Sequence, residues 1–200
     1  NMNWEPLIIQ LEFYDRNPVE VAKDLLGKFL VRKSGNEYLV GMIVETEAYL
    51  SQDDSAAHNF KGKTKRNESL YKESGHAYVH SMRQYNLIDI VTEGSEKPSS
   101  VLIRAVEPVL GMKTMQKLRN VEDVVSLTNG PGKLCIAFDI TRALDGAKVT
   151  SPESGLFITQ NINSLSFEIQ TSARIGISSA KDMPLRFSIV DNVYVSKRGK

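Results

Sequence analysis

The stretch Ile43-Val44-Glu45-Thr46-Glu47-Ala48-Tyr49-Leu50 carries an apolar strand into two carboxylates and an aromatic ring. Tyr38 to Val44, rich in Val, Ile and Tyr, predicts a β-strand. The two-residue period of a strand puts Glu45 and Glu47 on one face and Thr46 on the other. An acid pair at a strand end is a candidate site. Downstream follow Tyr49, the small-residue run Ala56-Ala57-His58 and the basic loop Lys61-Gly62-Lys63-Thr64-Lys65-Arg66-Asn67. A carboxylate, stackable rings and a loop suited to phosphate together point to chemistry on a nucleobase.

Working outward, Asn17-Pro18-Val19-Glu20 predicts a helix start, with Asn17 as N-cap, Pro18 in the first turn and Gly27 as the stop. Lys28 to Lys33 and Glu37 to Glu45 pair as a hairpin across Ser34-Gly35-Asn36. The polar segment Ser51 to Gly75 is too long for an ordinary connection and reads as functional, with one short helix around Glu68 to Lys72. Further strands are expected at His76 to Met82, Leu87 to Thr92, Val101 to Glu107, Gly155 to Thr159, Ser166 to Thr171, Leu185 to Val190 and Val193 to Ser196. Helices are expected over Gly111 to Leu118 and from Lys133. The expectation is one α+β domain over residues 1–200, with a curved, mostly antiparallel β-sheet flanked by helices.

Two hundred residues can bury a sizeable core. No stretch approaches the roughly 18 consecutive apolar residues of a membrane span, and Asn1 to Pro6 lacks the pattern of a secretory leader, so a soluble cytoplasmic protein is expected. The one cysteine, Cys135, sits in the apolar run Leu134 to Phe138 and reads as a core residue. The net charge of +1 does not select a partner. Charge distribution says more: Lys61, Lys63, Lys65, Arg66 and Lys72 cluster beside the acidic stretch. His58, His76 and His80 match no common zinc spacing, and Asn129-Gly130-Pro131-Gly132-Lys133 lacks the spacing of a nucleotide phosphate loop, so neither a metal nor a cofactor is expected.

Val44-Glu45-Thr46-Glu47-Ala48-Tyr49-Leu50, Asp53-Asp54, Ala56-Ala57-His58, Thr64-x-Arg66-Asn67, Val101 to Pro108 and Asn129 to Leu134 occur in the order found in the alkyladenine (3-methyladenine) DNA glycosylase family. The chain resembles that family from Asn17-Pro18 to Leu185-Arg186-Phe187. The resemblance implies a monofunctional enzyme that flips an alkylated or deaminated purine out of double-stranded DNA and hydrolyses its N-glycosidic bond, acting as a monomer without a cofactor. It places water activation on Glu47, with Arg104 holding Glu47 and the water. Glu45 is expected to be a structural partner rather than a source of like-charge repulsion. Tyr49 and His58 match base-pocket residues, and His80 stands where many members place a tyrosine. Asp89 replaces a usual asparagine and is expected either to accept from a guanine amino group or to pair with Arg83 or another cation. Thr64, Lys65 and Arg66 match phosphate contacts. Leu70 matches an apolar residue near the duplex and is a candidate wedge. Met82, with Arg83 or Gln84 as alternatives, is the candidate plug for the vacated stack, because the family's Tyr-Gly pair is absent. The rival readings are a non-catalytic damage-binding module and a hydrolase of free nucleosides.

Overall fold

The computed structural model describes residues 2–197; Asn1 and residues 198–200, the ends of the span expected to form one domain, lie outside the described residues. Its strands are β1 (Phe29–Ser34), β2 (Glu37–Tyr49), β3 (Ala77–Met82), β4 (Tyr85–Thr92), β5 (Ser99–Leu110), β6 (Leu156–Thr159), β7 (Ile169–Ser172) and β8 (Arg186–Ile189). They form one antiparallel sheet in the order β3-β4-β5-β2-β1-β6, with β8 also on β2 and β7 on β8. The sheet curls into a half-barrel, so the fold is α+β as expected.

β2 is the spine. Its first half pairs with β1, through Phe29 opposite Met42 and Ser34 opposite Glu37, and its last part pairs with β8, through Glu45 opposite Ser188 and Glu47 opposite Arg186. The change of partner coincides with irregular pairing against β5, where Val44 and Arg104 are each left without an opposite residue. Such bulges bend a strand and re-aim a side chain. The acids therefore stand inside a strand paired on both sides, not at a strand end: β2 continues through Tyr49 because β5 and β8 satisfy its backbone there.

Helix α2 (Pro18–Leu25) begins where the Asn17 side chain accepts the Val19 N–H at 2.9 Å and stops before Gly27, whose φ of +86° only glycine adopts freely. It packs on the face opposite the acids. Thr46 donates its hydroxyl to the Ala22 carbonyl at 2.8 Å, so the alternation read from the sequence seats β2 on this helix. A short α1 (Leu11–Tyr14) precedes it, while α3 (Met112–Arg119) and α4 (Pro131–Ala137) follow β5. Leu25, Ile43, Val44, Ile103, Val106 and Phe138 are fully buried in the shared core. Each such side chain contributes about 1.5–3 kcal/mol of burial. No helix among the described residues is long and apolar enough to cross a membrane.

Three expected elements differ. Glu68–Tyr71 is a 3-10 turn rather than an α-helix. β7 starts only at Ile169. Val193 to Ser196 is not a strand but a turn region, in which Asn192 accepts the Tyr194 N–H at 2.9 Å and thereby redirects the chain.

Candidate active site

Glu45 and Glu47 are both fully buried, and their surroundings separate their roles. Glu45 is saturated. One oxygen accepts from Arg104 Nε at 3.0 Å and from the Ser196 hydroxyl at 2.5 Å, and the other accepts from Arg186 Nη2 at 2.7 Å and Nε at 3.1 Å. Glu47 is held more loosely: Oε1 accepts the Tyr49 hydroxyl at 3.0 Å and Arg104 Nη1 at 3.5 Å, and Oε2 accepts the Ile175 N–H at 2.7 Å. Burial raises the pKa of Glu47 above the ordinary carboxylate range, against the opposing pull of Arg104, the Ile175 N–H and the Tyr49 hydroxyl. Repulsion from Glu45 adds to the rise, but least of the contributing effects.

Tyr49, Arg104 and Ile175 form part of the wall of a cavity of about 150 Å³, and Glu47 lies behind them. Others on that wall are His58, His80, Asp89, Ser100 and Met82. A dry cavity of that volume holds one benzene-sized ring, so the second ring of a purine would extend toward the mouth. A second, more open cavity of about 500 Å³ shares Ala56, His58, His80 and Ser81 and continues over Thr64 and Arg66. Base-sized space and basic loop thus adjoin.

The rings on the wall are interlocked. His80 stacks on Tyr78 with centroids 4.6 Å apart at 22°, and His58 meets His80 edge-on at 4.6 Å. His58 Nδ1 and the Tyr78 hydroxyl share a 2.8 Å hydrogen bond. Burial, His80 and Arg66 lower the His58 pKa. Asp89 pairs with His80 Nε2 at 2.9 Å and accepts the Ser100 hydroxyl at 2.7 Å, so its partner is His80 and not Arg83, and both its oxygens are engaged. Burial opposes the Asp89 charge, yet His80 and the Ser100 hydroxyl hold its pKa below the usual carboxylate value.

Thr64, Lys65 and Arg66 are exposed. Asn67 ties their loop to the ring cluster, accepting the Thr64 N–H at 2.7 Å and donating to the His58 carbonyl at 2.9 Å and the Gly62 carbonyl at 3.0 Å. At the β3–β4 hairpin, Met82 is 46% exposed beside the cavity, and Arg83 turns the chain with φ +56°. Leu70 does not accompany them. It is 2% exposed and packs with Tyr78 and Val91, because the 3-10 turn rolls it inward, so it is a core residue and not a wedge.

Several neighbours of the site escaped the sequence reading. Arg174 clasps Asp54 through two nitrogens at 2.7 and 2.8 Å, donates to the Ala48 carbonyl at 3.1 Å and lies 4.6 Å from the Tyr49 ring centroid. It anchors the segment that brings the Ile175 N–H to Glu47. Tyr78, Arg186 and Ser196 were likewise unforeseen. Arg186 was legible as a charge in the strand pattern Leu185 to Val190; nothing local to Ser196 marks it.

Comparison with known proteins gives this geometry a context. The profile of the methylpurine-DNA glycosylase family matches residues 12–193. Relatives from Carboxydothermus hydrogenoformans (40% identical, covering 96% of this chain and 100% of the relative) and Staphylococcus saprophyticus (42%, 95% and 94%) are each provisionally named a 3-methyladenine DNA glycosylase. A protein from Clostridium novyi carries the same name at 42% identity, over 94% of this chain and 97% of its own. The chain therefore belongs to the methylpurine-DNA glycosylase family and is, by that membership, a DNA glycosylase.

Proposed function

We propose that this protein removes alkylated and deaminated purines (3-methyladenine, 7-methylguanine, hypoxanthine and ethenoadenine) from double-stranded DNA by flipping the base into the cavity beside Tyr49, His58, His80 and Asp89. The observation that carries this reading is a carboxylate, Glu47, buried behind a ring-lined cavity with three donors around it and its pKa raised. A base flipped from the duplex must be held between flat faces. Cleaving its bond to the sugar leaves C1′ with oxocarbenium-like charge, which water captures. Glu47 takes that water's proton and steadies the cation, and a raised pKa makes it the stronger base. A purine alkylated at N3 or N7 is already cationic and departs neutral, so a second carboxylic acid of the kind sugar hydrolases use is not required. Arg104, shared with Glu45, orients Glu47. Thr64, Lys65 and Arg66 bind phosphates, and Met82 with Arg83 at the hairpin tip fills the vacated stack. The enzyme acts as a cytoplasmic monomer, as one domain and without a cofactor.

The test is base release from duplexes carrying a single hypoxanthine, 3-methyladenine or 7-methylguanine. Release with an intact abasic strand supports the reading. Tight binding without release would make the protein a damage-binding module. Because the nucleophile is water, borohydride is expected to trap no protein–DNA adduct; an adduct whose yield tracks turnover would contradict the mechanism. Replacing Lys65 and Arg66 together by Ala should weaken binding to damaged and undamaged duplex alike. It should also flatten the dependence of log affinity on log salt by roughly two units, at about 0.9 per phosphate contact. An unchanged slope would show that this loop only faces solvent.

A further inference from the structure

Arg174 and Asp54 form a clasp where three parts of the cavity wall meet, and neither side chain reaches solvent. Two guanidinium nitrogens of Arg174 donate to the two Asp54 oxygens at 2.7 and 2.8 Å, a fork that fixes geometry as well as charge. From this pair contacts run to each part of the wall. Asp54 accepts the Leu50 N–H at 3.0 Å, just past the end of β2, and the Ala56 N–H at 3.1 Å, on the wall ahead of His58. Arg174 donates to the Ala48 carbonyl at 3.1 Å and sets its guanidinium over the Tyr49 ring, 4.6 Å from the centroid. The next residue, Ile175, gives its N–H to Glu47 Oε2 at 2.7 Å, and Tyr49 gives its hydroxyl to Oε1 at 3.0 Å. Two of the three donors on Glu47 thus hang from one ion pair that lies outside the cavity lining.

We propose that Arg174 and Asp54 are positioning residues for base release: their clasp holds the Ile175 N–H and the Tyr49 hydroxyl on Glu47 and so fixes where that carboxylate points. The proposal rests on the glycosylase reading above, with Glu47 as the base. Burial raises the Glu47 pKa, and both of these donors oppose the rise by favouring the ionised form. The other charges around Glu47 do not depend on the clasp. Arg104 reaches it from β5, Glu45 precedes it on β2, and Arg186, opposite Glu47 on β8, gives its guanidinium to Glu45. Asp89 and His80 are paired with each other across β4 and β3. Losing the clasp therefore withdraws two donors from the ionised carboxylate and leaves these charges in place.

Single-turnover release of 7-methylguanine from a duplex, followed against pH in Asp54→Asn and Arg174→Lys, tests this. The effects open to Asp54→Asn are opposite in sign. Removing the Asp54 charge and freeing that of Arg174 would, by electrostatics alone, ease ionisation of Glu47 and move the acid limb of the rate to lower pH. Letting the two donors drift moves it to higher pH. The expected result is an upward move of about one pH unit, the worth of about one hydrogen bond to a charged group. Arg174→Lys keeps the charge but cannot reach Asp54, the Ala48 carbonyl and the Tyr49 ring together, so its limb should move the same way. Circular dichroism at each pH confines the comparison to folded protein. A limb that stays within about 0.3 pH unit of wild type, or moves down, in either folded variant overturns the proposal, because a pair that only stabilises the fold would lower stability without raising the limb. Wild-type protein that releases no base would instead overturn the glycosylase reading on which it stands.

Discussion

Glu47→Gln is expected to fold, to bind lesion-bearing duplex as the wild type does, and to release the base roughly four or more orders of magnitude more slowly. General-base catalysis contributes about 10²–10⁴ and a preorganised charge facing the developing cation about 10²–10³, and the amide loses both. Its shape is kept, and the amide oxygen can still accept the Ile175 N–H that Oε2 accepts at 2.7 Å. Arg104 retains Glu45 as its closer partner, so the substitution orphans no guanidinium. Single-turnover release beside a binding titration checks both halves. A variant that cleaves within tenfold of wild type would remove Glu47 from the role.

Glu45→Ala should fail differently, through the fold. Its carboxylate is the shared acceptor for Arg104, Arg186 and Ser196, and none of its surface reaches solvent. Removing it leaves Arg186 with the Ser172 hydroxyl and Arg104 with the 3.5 Å contact to Glu47 and a 3.4 Å contact to Ser196, all in a buried site. Breaking a buried ion pair from one side costs about 3–5 kcal/mol, a large part of the stability of an ordinary domain. Denaturant unfolding measures it. A loss below about 1 kcal/mol, the worth of a surface pair, would show that the cluster is not structural.

The two neighbouring acids thus illustrate what a sequence can and cannot disclose. Alternation along β2 was enough to place Glu45 and Glu47 on one face and Thr46 on the other, because strand period is a local property; that α2 covers the Thr46 face is seen only in the structure. The helix start at Asn17 and the hairpin of β1 with β2 were legible for the same reason. What surrounds each acid was not. Arg186, Ser196 and Ile175 lie more than 120 residues along the chain from the glutamates they touch, and no periodicity reports such a meeting. Leu70 was misplaced because its apolar side chain suits a DNA wedge and a small core equally, and only the 3-10 turn decides between them. Asp89 and His80 sit nine residues apart on the paired strands β4 and β3, so their pairing follows from the hairpin register, which the sequence left open.

The claim that a desolvated Glu47 is the general base is tested most directly by the pH dependence of single-turnover base release from a 7-methylguanine duplex under saturating protein. A cationic base needs no proton to depart, so the acid limb reports the group that must be ionised. Since burial raises the Glu47 pKa, the rate should fall tenfold per pH unit below an ionisation lying above the ordinary glutamate value of about 4.3, and the limb should vanish in Glu47→Gln. A rate that stays level down to about pH 4.3 in folded protein, or a limb that survives unchanged in Glu47→Gln, would contradict the account.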